Sequence, residues 1–172
     1  MSEQSFSSIV LQYLSFLIAD FDFSVKENLY GSAAFDGGEI DFRSPSTILV
    51  IELDRGEVRS SIGPTNEGEI GWLSLSRVVE YFSHGEDRSL LGMNGNPPYE
   101  LPDWVELELS LISTALLKYC GSFLRGDFSR WFEIQKWSLQ KMEDDYRVTT
   151  GLEFPQNQRY VLYIKEKERN NL

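Results

Sequence analysis

The chain has 172 residues, of which 41% are hydrophobic and 13% aromatic, with 27 Asp and Glu against 16 Lys and Arg for a net charge of −11. That length is enough to bury a real core in one domain, residues 1–172, and the aromatic content argues against disorder. The acid is concentrated in front, with 19 Asp and Glu and 6 Lys and Arg in residues 1–108 against 8 and 10 in residues 109–172, which disfavours nucleic acid and anionic membrane and suits a basic protein partner.

Phe6, Ile9, Val10, Tyr13, Leu14, Leu17 and Ile18 recur at helical spacing, so a helix is expected from about Ser5 to Asp20, with Ser5 or Ser7 as its cap. Residues 23–73 read as sheet. Strands are expected at Val25–Tyr30, Ser32–Phe35, Glu39–Arg43, Thr47–Asp54 and Glu57–Ile62, with Gly37-Gly38 as a tight hairpin connection and Asp54-Arg55-Gly56-Glu57 as a turn. The apolar run Ile48–Ile51 places its strand centrally, with Leu49, Ile51 and Leu53 on one face and Glu52 and Asp54 on the other. A short helix follows from Leu75 to about Ser83 with Ser74 as N-cap, and the Gly-, Pro- and Asn-rich residues 84–102 read as a long loop.

The remaining helical part, 103–147, is expected to be a hairpin: one helix opening at Pro102-Asp103 and stopping near Gly121, and one starting at Asp127. Arg159–Lys165 has strand composition and is open to two readings, pairing with the sheet or docking on the helices. The expected fold class is therefore α+β: an antiparallel meander of four or five strands, with an N-terminal helix and a C-terminal helical hairpin packed on it.

Chemistry has few footholds. One cysteine, Cys120, excludes an internal disulfide and four-thiolate zinc, and one histidine, His84, excludes two-histidine metal sites. With no basic leader at Met1–Gln4 and no apolar run of about 20 residues, a cytoplasmic chain without a membrane span is expected. Asp41 with Glu52-Leu53-Asp54 is similar to the Mg²⁺-binding core of restriction-type nucleases, but Asp54 stands where that family needs lysine and would repel phosphate. His84 sits in a polar helix exit, Gly92–Gly95 matches no phosphate loop, and Arg125-Gly126-Asp127 is better explained as a helix corner than as an adhesion sequence. Trp131, Phe132 and Trp137 are assigned to a helix seam rather than a ligand platform. No residue is assigned to catalysis, to a cofactor or to a metal.

What remains is the acid itself. Asp41, Glu52, Asp54, Glu57, Glu67 and Glu69 are the candidate partner contacts, because like charges crowded on a small sheet cost stability unless a basic partner neutralises them. The segments L-Y-G-S-A-A-F-D, S-T-I-L-V-I-E-L-D-R-G-E-V-R-S-S-I-G-P and L-S-R-V-V-E-Y-F, behind an amphipathic helix, resemble small acidic α+β bacterial proteins of uncharacterised families, several of them of toxin-immunity type. The resemblance covers residues 5–83 and implies sequestration of a basic toxin without catalysis. The competing classes are a metal-dependent enzyme using sheet carboxylates and a structural subunit of a larger assembly.

Overall fold

Helix α1 (Phe6–Phe21) starts where the Ser5 hydroxyl accepts the Ser8 amide at 3.3 Å, and it ends on Asp22 in the left-handed region. Its buried stripe of Phe6, Ile9, Val10, Leu14 and Leu17 is the one that the spacing predicts. The computed structural model describes residues 5–29, 37–87 and 103–170. Within them a five-stranded antiparallel sheet runs in sequence order: β1 (Ser24–Leu29), β2 (Gly38–Arg43), β3 (Thr47–Asp54), β4 (Glu57–Pro64) and the short β5 (Leu73–Ser74). The central place of β3 follows from its composition, since Leu49, Ile51 and Leu53 are all buried on one face. Arg55 and Gly56, both at positive φ, close β3 onto β4 in the two-residue turn whose twist suits a hairpin.

One sheet expectation changes. Gly38 already pairs with Leu29, so β1 reaches β2 through residues 30–37 rather than through a tight Gly37-Gly38 hairpin. The expected strand Ser32–Phe35 lies outside the described residues, as does most of the expected loop at 84–102.

Helices α2 (Leu75–Ser83) and α3 (Asp103–Tyr119) join α1 over one face of the sheet, and Val78, Val79, Val105, Leu109 and Ile112 fill the layer between them. Ser74 precedes α2, but its hydroxyl meets that of Ser76 instead of capping an amide. Helix α3 stops at Tyr119, near Gly121 as expected, and after Cys120 a further one-turn helix α4 (Gly121–Leu124) follows. Helix α5 (Trp131–Thr150) begins beyond Asp127, whose carboxylate accepts the Ser129 amide at 3.0 Å in a local turn, because Phe128 must first fold back onto Trp131. Helix α5 lies against α2, and α6 (Arg159–Asn170) lies against α5 and the turn at Glu69–Gly71.

Helix α6 resolves the two readings of 159–165 in favour of docking on the helices. The β-branched and aromatic residues that suggest a strand are placed at helical spacing, so Val161 and Ile164 are buried with Tyr160, Tyr163 and Lys167 beside them. Tertiary burial outweighs propensity there.

Candidate functional site

Alternation along the strands decides what the face of the sheet turned away from α1, α2 and α3 carries. With Ile40, Phe42, Leu49, Ile51, Leu53 and Ile62 turned to the core, Glu39, Asp41, Glu52, Asp54, Glu57 and Arg59 are turned the other way. The register then sets carboxylates directly opposite one another: Glu39 faces Glu52 across β2 and β3, and Asp54 faces Glu57 across β3 and β4. Arg59, opposite Glu52, is the shared counter-charge, with its guanidinium 3.0 Å from Glu57 and 3.3 Å from Asp54. The hydrogen bond that Arg59 donates to Glu57, with the charges of Asp54 and Glu52 behind it, raises the Arg59 pKa above its usual value. Arg55, on the turn, lies 3.8 Å from Asp54 and is almost wholly exposed.

Of the six expected contacts, Asp41, Glu52, Asp54 and Glu57 therefore share one face. Asp41 is nonetheless withdrawn from solvent. It is 3% exposed, and its carboxylate accepts both Nη2 and Nε of Arg43, at 2.7 and 3.2 Å, so it cannot reach a partner's side chain. Glu39, which the sequence places only in the general acidic set, stands in its stead opposite Glu52; only the strand register reveals that pairing.

Glu67 and Glu69 lie on the connection from β4 to β5, and Glu67 is the centre of a separate network. Its carboxylate accepts Nε2 of Gln135 at 2.8 Å, the hydroxyl of Tyr163 and Nζ of Lys167. Gln135 also donates to the Gly71 carbonyl at 2.7 Å and accepts Lys167 at 3.1 Å, while the Trp131 indole donates to the same carbonyl at 3.0 Å. Burial first, and then the bond to Glu67, raise the Tyr163 phenol above its ordinary range. These residues join the loop, α5 and α6 in one hydrogen-bonded network.

Beside that network a cleft of about 950 Å³ opens between the sheet, the β4–β5 connection and the start of α6, lined among others by Ile48, Glu69, Trp72 and Arg159.

The other sequence features have local explanations. His84 is the left-handed residue ending α2, and its amide is bonded to the Glu80 carbonyl. Cys120 is fully buried, and burial pushes its thiol far up. Arg125 donates to the Gly121 carbonyl at 2.9 Å and covers the Phe21 ring, so the Arg-Gly-Asp triplet is tied down at its basic end as Asp127 is at its acidic end. Trp131 is buried among Phe123 and Phe128, Trp137 packs edge-on to Tyr81, and Phe132 lies under Lys136 and Lys167. Among the described residues, no three His, Cys, Asp and Glu side chains are grouped to hold a metal ion, and no helix is long and apolar enough to cross a membrane. Compared with known proteins, the chain matches no family model, and no curated protein or solved structure matches it significantly.

Proposed function

We propose that this chain is a non-enzymatic, acidic protein-binding domain that works in the cytoplasm and receives Lys and Arg side chains of a basic partner on the exposed face of its sheet. The observation that carries the reading is the grouping of Glu52, Asp54 and Glu57 on that face, with Asp54 directly against Glu57 and Arg59 shared between those two. Like charges placed directly opposite each other cost stability. A cationic side chain arriving between them would relieve that cost, and the surrounding negative field would speed its approach. The contacts are Glu52, Asp54 and Glu57; Asp41, held by Arg43, and Glu67, held by α5 and α6, serve the fold. The resemblance of residues 5–83 to immunity-type proteins gives the partner a specific form, a basic toxin domain.

The test is a titration of the chain against the basic product of a neighbouring gene at rising NaCl, repeated with the double variant Glu52→Gln, Glu57→Gln. The expected result is affinity that falls with salt, and a variant that binds more weakly with a shallower salt dependence. A complex whose affinity ignores both salt and the double variant would sink the reading.

A further inference from the structure

The cleft lies on the same face of the sheet as the carboxylates but at the other end of β3, and its walls are in place before any ligand arrives. The Trp72 indole is seated against Gly63, where an added Cβ would stand 2.3 Å from Cδ1 of the ring, and Gly63 is the register neighbour of Ile48. Glycine in a strand here permits close approach of another group, and the ring is held as a flat apolar floor beside Ile48. Glu67 is fixed in the wall by Gln135, Tyr163 and Lys167, and Arg43 is fixed by Asp41. Side chains already held in one position lose little freedom when a ligand settles against them. Two charges are left over. Glu69 and Arg159 line the cleft, are exposed, and make no side-chain ion pair or hydrogen bond among the described residues.

A cleft whose lining combines an apolar floor with one free carboxylate and one free guanidinium suits a ligand that carries both charges on an apolar body. We propose that this cleft binds a dipolar ligand of amino-acid or peptide chemistry, with an aliphatic or aromatic group over Trp72 and Ile48, a cationic group toward Glu69 and a carboxylate toward Arg159. The volume, about 950 Å³, falls within the range of ligand sites. The site uses none of the clustered carboxylates, so it stands or falls apart from the basic-partner reading.

Calorimetric titration and amide NMR shifts test it, using the full chain with free phenylalanine, free leucine, and an alanyl-phenylalanyl-alanine tripeptide either free or blocked at both ends. Saturable binding of a free form is expected, with shifts at Trp72, and Glu69→Gln and Arg159→Gln each weaken it about tenfold or more. Both positions are exposed, so neither variant threatens the fold. Binding of the amino acids identifies a free metabolite as the source, and binding of the tripeptide alone identifies a peptide end. The proposal is overturned if no probe saturates, if the blocked tripeptide binds as well as the free one, or if both variants leave affinity within about twofold.

Discussion

Glu57 and Glu67 carry the same carboxylate at the two ends of one strand and its following loop, yet they stand in opposite surroundings. The Glu57 side chain is 70% exposed and, among the described residues, is ion-paired with Arg59, whereas that of Glu67 is 18% exposed and takes donors from α5 and α6. The contrast separates acid that holds the molecule together from acid left on view. Net charge alone makes no such distinction, and the proposed partner surface lies at the Glu57 end.

Breaking the comparison at Glu67 has the largest expected effect. Glu67→Ala leaves the Tyr163 hydroxyl without its acceptor and Lys167, 23% exposed, with Gln135 but without its counter-charge, and it loosens α6, which fully buries only Val161 and Ile164. Losing one member of such a part-buried charged network costs about 3 kcal/mol, read as a lower urea midpoint. Glu57→Ala, on the exposed side, is expected to stay within about 0.5 kcal/mol of the parent.

Gly63→Ala comes next, at about 1–3 kcal/mol. Its Cβ would meet ring atoms of Trp72 at 2.3 and 2.8 Å and the Trp72 Cα at 3.0 Å, so both ring and backbone must shift. Loss of unfolding midpoint together with altered Trp fluorescence is the expected result. An alanine tolerated without change would mean that the cleft floor is not held as described.

The parts of this architecture that were legible in the sequence are those set by periodicity and turn chemistry. The α1 stripe, the limits of β3 and the Arg55-Gly56 turn depend on residues close together in the chain. The acid on the outer face of β3 was legible too, because Glu52 and Asp54 alternate with Leu49, Ile51 and Leu53. What the sequence hides is cross-chain pairing. That Glu39 meets Glu52 depends on register, that Asp41 is taken by Arg43 depends on burial, and that Glu67 meets Lys167 depends on α6, a segment whose β-rich composition suits a strand as well as a helix.

A third carboxylate sharpens the comparison. Glu108 on α3 is as buried as Glu67 is bonded, being 6% exposed and without a partner among the described residues, and burial holds its carboxyl above the usual range. A raised folded-state value means that the native chain holds this proton more tightly than the unfolded chain does. The stability that follows is present below the ordinary glutamate range and is lost as pH rises through the folded value. Glu108→Gln removes that loss. Melting temperatures of parent and variant are expected to converge near about pH 4 and to separate toward about pH 7, with the variant the more stable. Curves that remain parallel would show that Glu108 is not the group responsible.

The smallest effect on stability is the most informative about function. Glu52 lies between Glu39 on β2 and Arg59 on β4, so Glu52→Gln removes one repulsion and one attraction together. Arg59 keeps Asp54 and Glu57 after the change, so the attraction lost is small beside the negative charge removed from a face that also carries Asp54 and Glu57. A gain of a few tenths of a kcal/mol is expected in urea unfolding. Affinity for a basic partner should move the other way, because the same carboxylate is one that the partner would neutralise. A surface retained for binding shows this opposition of signs, stability rising as affinity falls. If Glu52→Gln instead lowers stability and leaves binding untouched, Glu52 serves the sheet through Arg59, and the exposed acid has no claim to a partner.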